Sequence, residues 1–268
     1  MIKPPGRWLP NLGLRELWNY RDLGITLALR DLQLIYRQTL LGVAWVLLPP
    51  LAATGIFTVV FGHLADLPSD GVPYASFTLA GLTIWTFVST AVPAAANSLV
   101  EDRELVTHVW FPRMLAPLAA VLSSCVGLFI TLLLLIPVLA IDGVMPPIQV
   151  LTLPLWIIGA ILLSTGVGLW LAAANVLYRD VRFTVGFLVQ AWMWISPVAV
   201  SSSLVPDHWR YLYNVNPAAG LIDGMRWALL DTSPPGPQLA VSVTSLVVIL
   251  ASGAVWFRTA ERVFADTI

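Results

Sequence analysis

Charge is what this 268-residue sequence has least of: 11% of its residues are Asp, Glu, Lys or Arg, while 58% are apolar. A soluble domain carries about a quarter charged residues and needs them to cover its surface. The shortage excludes a soluble enzyme and a disordered chain. The net charge of −1 lacks the basic surplus that a nucleic-acid partner requires, so no nucleic acid is expected. The single cysteine, Cys125, excludes an intrachain disulfide and a cysteine-based zinc site. Set in an apolar run, it reads as a small buried hydrophobe. His63, His108 and His208 lie far apart with no HxxxH pair, so no metal site is expected. No GxxxxGK[ST] phosphate loop is present, and hence no ATPase motif of the chain's own. The first 39 residues carry charges throughout, so no cleavable signal peptide is expected there. A polytopic membrane protein remains, in keeping with a mean hydropathy of +0.82.

A bilayer core of about 30 Å takes roughly 20 apolar residues per helix. Six stretches free of Asp, Glu, Lys and Arg meet that length: about 40–61, 74–99, 114–141, 150–177, 183–205 and 239–257. They organise the chain into a cytoplasmic segment over 1–39, a transmembrane domain over 40–257 and a cytoplasmic tail over 258–268. Twelve of the 14 basic residues fall before the first span, in the 100–113 and 178–182 loops, or in the tail. The opposite side holds only Arg210 and Arg226. The positive-inside rule then predicts six spans with both termini in the cytoplasm.

Charge-free span interiors carry a second exclusion. Ion-coupled transporters and intramembrane acid–base enzymes place ionisable groups at membrane depth. None is expected here, so no catalytic residues are assigned, and the energy for any transport must come from a separate subunit.

Between the spans, residues 25–38 form an amphipathic pattern. Ile25, Ala28, Leu29, Leu32, Ile35 and Tyr36 share one face, and Arg30, Asp31, Gln33, Arg37 and Gln38 the other. Leu14, Leu17 and Trp18 extend it before a break near Gly24. Such a helix lies in the membrane interface; whether its polar face also meets a partner is open. The densest charge cluster, Glu101, Asp102, Arg103, Glu104 and then His108, ends at the Phe111-Pro112-Arg113 turn. It reads either as a solvated connector or as a helix that docks into a partner. The stretch 204–237 is rich in apolar and aromatic residues, including Tyr211 and Tyr213, and Asn216-Pro217 divides it. Its two pieces are too short to cross. They read as half-helices dipping in from the outer face, or as interfacial helices without a gating role. Twelve tryptophans are many for this length. Trp45, Phe57, Trp85, Trp192 and Trp194 are candidates for a channel surface on which sugar rings slide, with plain packing as the alternative.

The order of these pieces resembles the integral-membrane subunit of ABC-2 type polysaccharide exporters, the permeases for O-antigen, teichoic acid, galactan and related glycans. The likeness runs from about Leu14 to the C-terminus. It is carried by Leu17-Trp18-Asn19-Tyr20-Arg21-Asp22-Leu23, Arg30-Asp31-Leu32, Tyr36-Arg37-Gln38-Thr39 and Leu41-Gly42-Val43-Ala44-Trp45. Pro49-Pro50, Phe57 to Gly62, Gly81 to Trp85, Phe111-Pro112-Arg113, Asn175 to Val181, Asn216-Pro217 and Arg226 continue it. The resemblance implies an all-α exporter fold with an N-terminal interface helix, six spans and two external re-entrant half-helices before the last. It implies a homodimer in the bacterial cytoplasmic (inner) membrane, paired with two copies of an ABC ATPase subunit that supplies ATP and Mg; the chain itself needs no cofactor. The substrate would be a glycan on a polyprenyl diphosphate lipid. The N-terminal helix, with Arg30 and Arg37, and the Glu101–His108 segment would couple to the ATPase. Arg30, Arg37 and Arg103 also sit where a diphosphate could be met. Tyr211, Tyr213, Asn216, Pro217 and Arg226 would belong to an external gate. A permease for a drug or small lipid, or an enzyme of polyprenyl-lipid metabolism, is the alternative.

Overall fold

The computed structural model describes residues 13–36, 44–101, 111–178 and 180–262. Among them every regular element is helical. Two helices come first, α1 (Leu14–Asn19) and α2 (Arg21–Tyr36). Next come α3 (Ala44–Phe57), which runs on as π-helix over Thr58–Leu64, then α4 (Tyr74–Glu101), α5 (Leu115–Ile141) and α6 (Leu153–Leu177). The last group is α7 (Val181–Ile195), the one-turn α8 (Arg210–Tyr213), α9 (Pro217–Leu230) and α10 (Leu239–Ala260).

Among the described residues, five segments are long and apolar enough to cross a bilayer: Trp45–Leu64, Tyr74–Glu101, Leu115–Ile141, Ile148–Leu177 and Leu239–Ala260. The chain is thus a multi-pass membrane protein. The stretch expected to span 183–205 differs. Its helix stops at Ile195 after 15 residues, about 22 Å of rise and short of the hydrocarbon core. Pro197 is the cause, because a residue before proline is pushed out of the helical region; Ser196 accordingly turns extended, at φ −98° and ψ 150°. The chain continues as irregular backbone, with Ser196, Val198 and Ala199 buried.

α4 is the axis of the fold. Most of its length is buried, and α3, α5, α6, α7 and α9 all pack on it. Helix pairs gain little from the hydrophobic effect inside lipid, so close backbone approach through small residues matters more. Ala95 of α4 meets Gly168 of α6, and a Cβ at Gly166 would stand 2.8 Å from the Leu250 Cα of α10. Asn175 of α6 adds a polar clamp, its Nδ2 donating to the Ala96 carbonyl at 2.9 Å and to Asn97 Oδ1 at 3.0 Å.

α2 packs Leu27 and Ala28 against Leu115, Ala116 and Ala119 of α5, while Ile25 and Leu29 point outward. The apolar pattern therefore serves two apolar surroundings rather than one face. The break between α1 and α2 falls at Tyr20, not near Gly24. Gly24 lies inside α2 at the α5 crossing, where a Cβ would meet Leu115 at 3.4 Å.

The two ends of the bundle differ in charge. One gathers α1, α2, Arg113 and the end of α10, tied by Arg258 Nη1 to Glu261 at 2.9 Å, Arg258 Nη2 to Glu16 at 3.9 Å, and the Arg113 amide to Glu261 at 3.3 Å. The other gathers the loops carrying Asp66, Asp70, Asp142, Asp207, Asp223 and Asp231 with Arg210 and Arg226. Among the described residues, this is the partition of basic residues expected from the loops. Asp142 is placed by the fold: its carboxylate accepts from the Ser76 amide at 3.2 Å and from the Ser76 hydroxyl, at the positive N-terminal end of α4.

Candidate functional site

The acidic end holds most of the residues singled out from the sequence, and it is built around the break after α7. Irregular backbone at membrane depth is tolerated only where protein satisfies its polar groups. Two side chains do so. Tyr74 Oη donates to the Ala199 carbonyl at 2.6 Å, and Arg226 Nη2 donates to the Val198 carbonyl at 2.7 Å. Arg226 also donates through Nε to the Phe77 carbonyl at 3.1 Å, and its guanidinium lies 3.5 Å above the Phe77 ring. Only 2% of this side chain is exposed, and Asp223 one turn earlier is its 4.0 Å ion-pair partner. Arg226 is thus a buried strut joining α9, α4 and the broken helix. Burial draws its pKa down to about 10 against the opposing pull of Asp223. Burial likewise pushes the Asp223 carboxyl up, more than Arg226 pulls it down.

Asn216 and Pro217 are helix-start signals with an added task. Asn216 caps α9, its Oδ1 accepting from the Ala218 amide at 3.1 Å, and Pro217 takes the first helical position, where no amide donor is needed. The same Oδ1 accepts from Trp192 Nε1 at 2.8 Å, and Asn216 Nδ2 donates to Ser196 Oγ at 2.9 Å. One side chain therefore pins the start of α9 to the end of α7. Trp192 in turn meets Trp85 edge to face, with ring centroids 5.6 Å apart.

The five aromatics expected to line a channel divide by position. Trp85 is buried in the core and Trp192 is half-buried beside it. Trp45 and Trp194 are 56% and 64% exposed, on α3 and α7. Phe57 is half-buried where α3 becomes π-helical, 5.5 Å from Phe61. Phe57, Phe61, Met193, Trp194, Trp209 and Tyr213 belong to one groove of about 540 Å3 at the acidic end. Tyr211 is exposed on α8; Tyr213 is half-buried, its hydroxyl pKa raised by burial and by Asp223. The stretch 204–237 thus contains one well-formed helix, α9, preceded by short turns, rather than two comparable half-helices.

At the basic end, Glu101 is exposed at the close of α4, and Arg30 pairs with Asp31 at 2.8 Å. Arg37, Asp102, Arg103, Glu104 and His108 lie outside the described residues.

Sequence reasoning missed the partners rather than the anchors. Asp223, Tyr74 and Ser201–Ser203 gave no motif of their own. The signal available was Asp223 three residues before Arg226, a spacing that puts both on one helix face.

Compared with known proteins, residues 23–230 match the model of the family described as ABC-2 type transporter. The chain is 26% identical over 259 residues to the O-antigen export system permease protein RfbA of Myxococcus xanthus, covering 95% of this chain and 98% of that protein. It is 21% and 22% identical over 248 residues to two proteins of the same description from Klebsiella pneumoniae, each match covering 92% of this chain and 95% of the relative.

Proposed function

The chain belongs to the ABC-2 type transporter family, and from that premise we propose that it is the transmembrane permease of an ATP-driven exporter of polyprenyl-diphosphate-linked polysaccharide. The observation that carries this is its end-to-end similarity to O-antigen export permeases. The chemistry agrees: the sequence has no phosphate loop and no ionisable residue inside its spans, so it supplies a path and a partner supplies the energy. ATP and Mg are held by two copies of an ABC ATPase subunit.

Two copies of the chain form the path across the bacterial cytoplasmic membrane. The basic end faces the cytoplasm, with both termini there, and the acidic end faces outward. Counting α7 with its irregular continuation as a crossing gives six spans. The exposed apolar faces of α3 and α7 meet between protomers, with Trp45, Phe57 and Trp194 along the glycan's route. ATP binding draws the ATPases together. That motion enters through the N-terminal helices and the segment 101–108. It is passed outward along α4, to which the strut at Arg226 ties α9, and the segment 204–237 yields to let the glycan out.

Depleting the protein in its native host tests this. Lipid-linked polysaccharide is expected to accumulate in the cytoplasmic leaflet. Normal surface polysaccharide together with new sensitivity to a small toxic compound would support the drug-permease alternative instead.

A further inference from the structure

A second cavity at the acidic end, about 300 Å3, is walled largely by the segment 204–237 and differs from the aromatic groove in chemistry. Five stretches build it: Asp70, the serines 201–203, α8 with Arg210 and Tyr213, α9, and the strap Thr232–Gln238. Hydrogen bonds join Asp70 to the serines and the serines to α9. Asp70 Oδ2 accepts from Ser201 Oγ at 2.6 Å, and Oδ1 accepts from Ser203 Oγ at 2.9 Å. Asp223 Oδ1 accepts from Ser202 Oγ at 2.9 Å. The strap contains Pro234, Pro235 and Pro237, whose fixed φ angles make it a stiff wall.

Two features point to a ligand. Nη1 of the buried Arg226 makes no hydrogen bond in the protein and has only the 4.0 Å pairing with Asp223, and a charged donor without a hydrogen bond is costly in a dry interior. Asp223, beside it in the same wall, keeps 28% of its side-chain surface although Ser202 already occupies Oδ1. The volume is far more than a bridging water needs, and it reaches the lower end of small-ligand sites.

Charge restricts what fits. Asp70, Asp223, Arg210 and Arg226 all line the cavity, two carboxylates and two guanidiniums, with Arg226 beside Asp223 on α9 and Arg210 paired outside with Asp207. An anion would meet two carboxylates and a cation two guanidiniums. A sugar hydroxyl donates and accepts at once, so a diol can donate to Asp223 while accepting from Arg210, the accessible arginine of the lining. The ring of Tyr213 and the proline rings offer apolar surface to the C–H face of a pyranose. We infer that this cavity is a saccharide subsite that takes one or two neutral pyranose units of the glycan at the exit. That role rests on the export reading; the preference for a neutral sugar rests on the cavity alone.

The test uses the full chain in lipid nanodiscs free of glycoside detergent, with saturation-transfer NMR as the readout. The probes are methyl α-mannopyranoside, methyl α-glucopyranoside, glucuronate and glucosamine. Ser233 is exposed at the rim, so Ser233→Trp fills the cavity without entering the core. Thr244→Trp, on an exposed face of α10, is the control. A neutral pyranoside should bind to the wild type and to the control, and its affinity should fall at least about tenfold in Ser233→Trp. The inference is overturned by wild-type protein that binds none of the probes, by binding that Ser233→Trp leaves unchanged, or by glucuronate or glucosamine binding more tightly than both neutral sugars. Host depletion reads the export function separately. Glycan that accumulates on depletion while no probe binds would remove the subsite and leave the exporter standing.

Discussion

Replacing Arg226 with methionine tests whether the break after α7 depends on one side chain. The substitution keeps much of the aliphatic stem and removes the charge and the fork. It deletes the bonds to Val198 O at 2.7 Å and Phe77 O at 3.1 Å, the contact over the Phe77 ring, and the partner of Asp223. Hydrogen bonds from a charged donor are worth about 1.5–3 kcal/mol each. Removing one member of a buried ion pair costs about 3–5 kcal/mol, because the other charge is left uncompensated. These contributions overlap and do not sum, so the expected loss is about 3–5 kcal/mol. At about 2–4 °C per kcal/mol for a chain of this size, melting should fall by about 10 °C. Thermal unfolding of the purified full chain, followed by tryptophan fluorescence, reads it. Arg226→Met with Asp223→Asn should recover part of the loss, since no unpaired carboxylate remains. Arg210→Met is the matched control: Arg210 pairs at 2.9 Å with the exposed Asp207, and such surface pairs contribute about 0–1 kcal/mol. If Arg226→Met melts no lower than Arg210→Met, the strut argument is wrong.

Three further outcomes follow from the same geometry. Asn216→Ala loses the α9 cap and the ties to Trp192 and Ser196, for an expected loss of about 1–2 kcal/mol; Asn216→Asp, which keeps the acceptor, should lose less in the same melting assay. Gly166→Leu forces α6 and α10 apart where a Cβ alone would stand 2.8 Å from Leu250 Cα, and a loss of at least about 1–3 kcal/mol should appear as a reduced yield of monodisperse protein. Asp223 carries a raised pKa in the folded state, so the native form holds its proton to higher pH than the unfolded form. Stability should therefore fall as pH rises from the ordinary carboxylate value of about 4 through the raised one, and melting curves of Asp223→Asn should lack that slope.

The sequence made the spans legible because lipid imposes one simple rule, a run of apolar residues long enough to cross. It made the separation of charge between the two ends legible, because basic residues cluster in alternate loops. It was least informative where tertiary partners decide the outcome. An apolar run over 183–205 does not reveal that the helix ends at Ile195; Pro197 is the local sign, but whether a helix continues past such a point depends on what receives the freed carbonyls. Here the Met193 carbonyl accepts from the Ser196 amide instead, and past the break Tyr74 and Arg226 serve the carbonyls of Ala199 and Val198, from positions 125 and 28 residues away. Asn216-Pro217 was legible as a division, since cap and first-turn proline are local signals. Its link to Trp192 was not, because indole nitrogens seek partners without regard to sequence distance. Trp192 and Trp194, two apart on a helix, illustrate the limit: the spacing turns them in different directions, but only packing tells which faces inward.

The placement of the two breaks argues for where the molecule moves. α3 carries Pro49 and Pro50 inside it and ends in π-helix, and α7 ends early at Ser196. Both are less embedded than α4, and both contribute to the aromatic groove. Their interruptions remove backbone hydrogen bonds that resist bending. α4, by contrast, is buried along most of its length and carries the close contacts with α6 and the Arg226 strut. Force entering at the basic end would pass along that stiff axis with little loss, while α3 and α7 would yield at their outer ends. The irregular outer ends of α3 and α7 are therefore where this bundle bends most readily.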